Sequence, residues 1–403
     1  MGLQTGMFNA NTGNPAELNA RSFASKMLRK YPNGSAPMFA LTSQSGRSVA
    51  KSSTHGYFSK TMTFIVITLA AQVLVGATSM SVPSTAGIVP GMLLMNRRTG
   101  ENIRITAITS GTVLAITRAF GRIAAAQMEI ADVLIQAGAA FEEGSDRPVA
   151  RRLTTEYIPN YTQIFRNAWA LTGTARASYA EMGISNIAEN KGDCAMMHAV
   201  DIESAIIWGQ AKMDTSGNTP IHATQGVVDA IKQYAPANVS VAGSTTTFEQ
   251  LISYMEPMFL YSTNLGDAKS RTLFGDSVAI RVINAIGRKS GQVYMENSTT
   301  KFGMKFTSFT FYKGTIDLVE HPLMNALGAT GTALIMDMPA LKLAYMEGRD
   351  TVPESYASQG TQDRDAIGKD ADGGSLTTEL AVELINPFSC GYITGLTAAA
   401  AST

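Results

Sequence analysis

The sequence predicts a mixed α+β protein, and three observations lead to that class. Apolar residues recur at near-helical spacing over Asn186 to Gln210 and over Thr246 to Tyr261. Short runs with two-residue alternation, separated by turn residues, fill Val73 to Val133 and return beyond Asp276. No internal duplication or heptad run is present, which excludes a solenoid and a long coiled coil.

Residues 1 to 60 are rich in Gly, Ser, Asn and Thr and are broken by Pro15, Pro32 and Pro37, leaving one short helical candidate at Leu18 to Arg29. Such an arm cannot bury its own backbone, and lying across a partner would order it. Arg21, Lys26, Arg29, Lys30, Arg47, Lys51 and Lys60 face the single acid Glu17, so the arm carries +6. The whole chain has 32 basic and 32 acidic residues, so the remainder carries −6. The arm therefore suits an acidic neighbour or nucleic acid contacted without sequence specificity.

From Val73 to Val133 the expected strands are Thr78 to Val82, Gly91 to Asn96, Asn102 to Ile108 and Thr112 to Arg118. Arg98-Thr-Gly100 and Ser110-Gly111 turn the chain between them, giving a small antiparallel β-module. Phe141-Glu-Glu-Gly-Ser-Asp-Arg-Pro148 is a polar boundary, and Tyr157 to Phe165 reads as extended. In the Asn186 helix, Ala195, His198, Ile202, Ala205 and Ile206 form the stripe, and Gly209 ends it. In the Thr246 helix, Phe248, Leu251, Ile252, Met255 and Phe259 share a face, and Pro257 shortens or kinks it. Beyond it, Ser277 to Ile283, Gln292 to Glu296, Gly303 to Tyr312, Thr315 to Glu320, Leu334 to Leu343 and Thr377 to Ile385 read as strands. Gly314 makes a hairpin turn, Pro339 a second turn, and Ser355 to Ser375 a polar loop.

Composition bounds the rest. At 403 residues the chain can build a sizeable core, and 16 % charged residues with 36 Gly is thin charge for a freely soluble monomer, which points to surface covered by neighbours. Cys194 and Cys390 lie far apart in apolar settings and read as reduced buried thiols. Met62 to Val75 is interrupted by Thr and Gln and is shorter than the roughly 20 residues of a membrane-spanning helix. The opening Met-Gly-Leu-Gln-Thr-Gly lacks the pattern of a secretory signal, and no membrane partner is expected.

Chemistry finds no foothold. His55, His198, His222 and His321 form no short-spaced ligand set, and His198 reads as a packed core histidine. Asp370-Ala-Asp372-Gly-Gly fails as a calcium loop, because Ser375 and Ala381 stand at the sixth and twelfth positions. Gly275-Asp-Ser277 is a three-residue fragment of an esterase pattern without a histidine partner. Gly287-Arg-Lys-Ser-Gly291 has neither phosphate-loop nor dinucleotide-loop spacing. Glu142 and Glu143 read as a hydrated turn. No catalytic, metal or cofactor-binding residue is expected.

Three segments carry a family resemblance: the module ending in Phe141-Glu-Glu-Gly-Ser145, Asn160-Tyr-Thr-Gln-Ile-Phe165 with Thr172-Gly-Thr174, and Leu376 to Phe388 running on to Gly395. Together, from about residue 60 to 396, the chain resembles tailed-phage major capsid proteins. The resemblance implies a Hong Kong 97-like fold: an N-terminal arm (1–60), an extended loop carrying the inserted small β-module (61–156), a peripheral domain with a long spine helix (157–224), an axial domain (225–320) and a return to the peripheral domain (321–403). It implies an icosahedral head shell built from many copies in hexamers and pentamers, enclosing double-stranded DNA contacted non-specifically. It further implies a portal, a separate scaffolding protein, room for a cement protein, and assembly in the host cytoplasm. Tyr157, Tyr161, Gln163, Phe165, Arg166 and Trp169 are the intersubunit contact candidates, and Arg21, Lys26, Arg29 and Lys30 the arm contacts. No lysine or asparagine sits in a cross-linking motif. Three other readings stay open at this point: a nanocompartment shell of similar fold, an esterase-like enzyme built on Ser277, and a structural protein in another virion position such as the tail.

Overall fold

The computed structural model describes residues 36–42, 46–60, 64–148, 150–178, 186–243, 246–261, 270–290, 295–301, 304–356 and 371–397. Arg21, Lys26, Arg29 and Lys30, and the helix expected at Leu18 to Arg29, lie outside them. Helices and both parallel and antiparallel strand pairs are present, which is an α+β architecture. The chain divides into two compact units, residues 58–158 and residues 1–57 with 159–403. It passes between them through the paired strands Thr54–Ser59 and Glu156–Tyr161.

The 58–158 unit is one six-stranded sheet in the order Val66–Thr68, Val133–Ala139, Met92–Asn96, Asn102–Ser110, Val113–Thr117, Ser79–Ser81, antiparallel throughout. Alternation puts Met92, Leu94, Ile103, Ile105, Leu114 and Ile116 into its core. The four expected strands are present. The first and second strands of the sheet order were not expected, because Val133–Ala139 buries only Leu134 and so shows no alternation. A register shift opposite that strand falls between Leu93 and Leu94, where Gly138 takes φ +124°.

Two carboxylates tie the module's loops. Glu101 is fully buried and receives Arg118 in a two-pronged pair, Nε to Oε1 and Nη2 to Oε2, each at 2.7 Å. The amides of Ala119 and Ala126 donate to the same carboxylate at 3.0 and 3.2 Å. Burial pushes Glu101 up, but the Arg118 bond and the two amides outweigh it and leave it below the usual carboxylate range. Asp132 receives Arg98 Nε at 2.7 Å and Asn96 Nδ2 at 2.9 Å, and the Arg98 bond holds it well below that range.

The other unit holds two larger sheets. A five-stranded sheet runs Arg47–Ala50, Leu341–Met346, Ala371–Leu384, Gln163–Thr172, with Val352–Tyr356 also paired to Ala371–Leu384. Against it packs the helix Asn186–Trp208, the long helix that the spacing predicts, through Ile202, Ile206 and Ile207 with Phe165, Leu380 and Val382. A seven-stranded sheet runs Val239–Val241, Gly391–Thr394, Ala333–Met336, Ser270–Gly275, Gly314–Glu320, Met304–Phe311, Met295–Lys301. The helices Phe248–Met255 and Ser277–Ser290 share its core through Leu251, Met255, Val282 and Ile283. The first of these opens on a reciprocal capping box between Thr247 and Gln250 and tightens into a 3-10 turn at Glu256–Phe259, where Pro257 stands.

Three expectations are corrected. Ser277 to Ile283 is helix, not strand: Val278, Ile280 and Val282 alternate, but Ala279, Val282, Ile283 and Ile286 form a helical stripe, and Asp276 caps the N-terminus. Leu334 to Leu343 is not one strand. Ala333–Met336 belongs to the seven-stranded sheet and Leu341–Met346 to the five-stranded one, with a 3-10 turn at Met338–Ala340 carrying the chain across. The polar stretch up to Ser375 also ends earlier than expected, because the strand begins at Ala371. Gly373 and Gly374 lie between Tyr356 and Ser355 on one side and Ala170 and Trp169 on the other. A Cβ on Gly374 would stand 2.8 Å from Trp169 Nε1, so glycine is what lets the indole sit there.

Candidate assembly interface

The segment from Tyr157 to Ala175 holds its shape through polar residues that the apolar pattern hides. Asn160 is buried, and its Nδ2 donates to Val382 O at 2.6 Å, Thr224 Oγ1 at 3.2 Å and Gln225 O at 3.2 Å. Its Oδ1 accepts the amides of Gln225 and Tyr161 at 2.7 and 2.8 Å. Thr162 Oγ1 donates to Glu379 at 2.8 Å, and Gln163 Oε1 accepts the Thr224 amide at 3.1 Å. A buried amide with all its capacity used joins three chain segments that apolar contact alone would leave free to slide. Neither Asn160 nor Thr162 was among the contact candidates. Their signal was the unusual polar run Asn-Tyr-Thr-Gln inside an otherwise extended segment.

Among the described residues Gln163–Thr172 pairs on one side only, with Leu380 through Ala371, and so stands as an edge strand of ten residues. Alternation sorts its side chains. Phe165 enters the core beneath the long helix, while Ile164, Arg166, Ala168 and Ala170 are exposed. Thr172 Oγ1 caps the short helix Gly173–Ala177 by accepting the Ala175 amide, which ends the strand at the Thr-Gly-Thr sequence. An open groove of about 550 Å³ runs between the strand's start and the end of the long helix, lined by Ile164, Arg166, Asp201, Ser204 and Trp208 among others. Unpaired main-chain groups beside such a groove are a template for another extended chain.

The six contact candidates divide by environment. Tyr157 is 44 % exposed and rests against Phe58 with ring centroids 5.1 Å apart. Arg166 is exposed and reaches Glu354 at 3.3 Å. Tyr161 stacks on His222 at 6.1 Å, and Trp169 is half-buried under Lys191 Nζ at 4.8 Å from its ring. Gln163 is engaged by its own chain. Phe165 is a correction: its ring is spent on its own core, so it fixes the strand and offers no surface to a neighbour.

Buried polar links also hold the long helix. His198 joins Asn167 Oδ1 and Thr378 Oγ1, both at 2.7 Å, as the packed histidine expected, and burial lowers its pKa. Glu203 accepts the amides of Met38 and Phe39 at 2.8 and 2.7 Å and meets His321 Nε2 at 2.7 Å, with the carboxylate and the imidazole both fully buried. That carboxylate anchors the helix Pro37–Thr42, the first described element of the chain.

The esterase reading does not survive this geometry. Asp276 is buried and accepts the amides of Val278, Ala279 and Gly331, Ser277 is exposed at the helix start, and His321 is committed to Glu203 and the Met324 amide. Neither Asp276 nor His321 is therefore placed as a base for the Ser277 hydroxyl. Asp372 of the rejected calcium pattern is a strand residue, and Asp370 lies outside the described residues. Among the described residues no group of three His, Cys, Asp or Glu side chains is placed to hold a metal, and no helix is long and apolar enough to cross a membrane. Cys194 and Cys390 are buried free thiols.

Comparison with known proteins gives a consistent answer. The family model of the SU10 major capsid protein matches residues 5–397. The major capsid protein of Pseudomonas phage PaMx41 is 47 % identical over 406 residues, covering 98 % of this chain and 97 % of that one. Solved structures that resemble it include the capsid of Myoviridae phage XM1, at 10 % identity and TM-score 0.47 with 98 % and 100 % of the two chains covered. Another is from Mycobacterium phage Bobi, at 12 % identity and TM-score 0.47 with 94 % and 96 % covered. A family model spanning nearly the whole chain, and a relative almost half identical from end to end, establish that this chain belongs to the SU10 major capsid protein family, as a shell subunit of a tailed-phage head.

Proposed function

We propose that many copies of this chain close into hexamers and pentamers of an icosahedral shell around double-stranded DNA. In this reading residues 1–60 are an arm over neighbours, 61–156 an extended loop bearing the β-module, and 157–224 a peripheral domain whose spine is the helix Asn186–Trp208. Residues 225–320 form the axial domain and 321–403 return to the peripheral domain. The end-to-end likeness to a major capsid protein carries this reading. The free edge of Gln163–Thr172 with its groove supports it physically, because many modest contacts become cumulative in a closed lattice.

Tyr157, Tyr161, Arg166 and Trp169 are the contact residues in this scheme, with Gln163 and Phe165 holding the strand from behind. Arg21, Lys26, Arg29 and Lys30 supply non-specific cationic contact to an acidic neighbour or to packaged DNA. A portal, a separate scaffolding protein and a cement protein complete the partner set, and assembly takes place in the host cytoplasm. Cryo-electron microscopy of the purified protein in low and moderate salt tests the scheme. Closed shells or capsomer rings with density crossing between copies are expected, and a monomer that persists across assembly conditions would refute it.

A further inference from the structure

The β-module carries its own pair of complementary surfaces. A groove of about 1090 Å³ lies within the 58–158 unit, floored by Ile65, Ile88 and Val89 and rimmed by Phe64 and Leu153, which are 69 % and 42 % exposed. One wall is the segment 150–155, which forms no strand and makes no main-chain hydrogen bond with any described residue. Arg151 and Arg152 stand exposed on that wall, and neither forms an ion pair or hydrogen bond with any described residue. The groove is therefore apolar at its base and cationic along one side, where Arg151 and Arg152 outweigh Glu156, the one acid in its lining.

The matching chemistry sits elsewhere on the same unit. Phe141 is 49 % exposed, with one edge of its ring over Gly91, and Glu142, Glu143 and Asp146 follow it in an exposed loop. Among the described residues only Glu142 of these acids forms an ion pair, with Arg104 at 3.6 Å, and Arg147 follows Asp146 in the same exposed stretch. The loop thus presents an aromatic ring followed by acids, and none of its residues lines the groove of its own chain.

We propose that the Phe141–Asp146 loop of one copy seats in the groove of the next copy, with the ring toward the apolar floor and Glu142 and Glu143 paired with Arg151 and Arg152. Two different patches of one unit then meet across the contact, which is a head-to-tail interface and closes into a ring when its rotation permits. Exposed charges of opposite sign on the two patches steer the encounter and set its register. This inference rests on the shell reading and names one of the contacts that would build the capsomer.

The test is a charge swap in the full chain, read as yield of capsomers and shells by sedimentation and electron microscopy. R151E/R152E and E142R/E143R should each cut the yield at least about tenfold, because like charges then face across the contact. The four substitutions combined in one chain should restore it to within about twofold. All four side chains are exposed, and only E142R gives up an ion pair, the exposed one to Arg104. Melting of the unassembled protein should therefore stay nearly unchanged and separates misfolding from lost contact. Unchanged yield in either reversed pair, or no rescue by the combination, overturns the proposal. Loss in R151E/R152E alone would assign the groove to a different acidic partner and also overturn it. Failure of the unsubstituted protein to assemble counts against the shell reading itself, and this inference falls with it.

Discussion

Replacing Glu101 by alanine puts the largest load on the β-module. The substitution leaves Arg118, whose side chain is only 6 % exposed, as a buried cation without its partner, and takes the acceptor from the amides of Ala119 and Ala126. Removing one member of a buried ion pair costs about 3–5 kcal/mol, and the two orphaned amides place this site toward the upper end. A domain of this size has a total stability of about 5–15 kcal/mol, so the loss is a large share of it. At about 4–8 °C per kcal/mol for a unit of up to roughly 100 residues, melting of the module should fall by at least about 12 °C. Calorimetry of the full chain reads that shift, and hydrogen exchange localises it to Met92–Asn96, Asn102–Ser110 and Val113–Thr117. The control is E101M/R118M, which removes both charges. It should cost clearly less than E101A, since no buried charge is then left unpaired. A loss below about 1 kcal/mol in E101A, or a double variant as damaged as the single one, would refute the argument that the ion pair is what holds these loops.

Other outcomes follow from the same geometry. Phe165→Ala should cost about 3–5 kcal/mol as a core cavity, whereas Arg166→Ala, one residue on but exposed, should cost less than about 1 kcal/mol in the unassembled protein; chemical denaturation separates them. Gly226→Ala should yield unfolded or insoluble protein, because its Cβ would lie 2.6 Å from Gly209 N and 2.7 Å from Ala205 O, where backbone has no room to yield; soluble yield and circular dichroism check it. Glu203→Gln weakens charge-assisted bonds to Met38 and Phe39, each worth about 1.5–3 kcal/mol, so exchange at those two amides should accelerate before the rest of the core. Acid should act in two stages. His198 has its pKa lowered in the folded state, so its contribution is complete above the unfolded histidine value of about 6.5 and declines as pH falls below it. Glu101 and Asp132 are depressed carboxylates, so their stabilisation is present above about pH 4 and is lost as pH falls toward their folded values. H198Q should flatten the first stage in melts across pH and leave the second in place.

Features written in nearest neighbours along the chain could be read directly. The helix Asn186–Trp208, the capping box at Thr247 and the alternation in the module depend on periodicity and local hydrogen bonds, which a sequence carries explicitly. Ser277–Ser290 shows where such reading slips, since a stretch of β-branched residues satisfies two periods and Asp276 at its start was the deciding signal. Of the candidate interface, the extended character of Tyr157 to Phe165 was legible, but the face that each side chain takes was not. Phe165 turned inward because the long helix lies on that side of the sheet, and Arg166 outward because pleating leaves it no alternative.

By itself the sequence determined the class, the extended module, the long helix and, through the Asn160 to Phe165 and Leu376 to Phe388 segments, the family. Tertiary structure alone decided that Asn160, Glu101 and Glu203 are the buried hubs, that Gly373 and Gly374 lie inside a strand, and that Gln163–Thr172 is a free edge. The physical reason is distance along the chain. Asn160 meets Val382 across 222 residues, and Glu203 meets Met38 across 165, so these partners become known only when the fold brings them together.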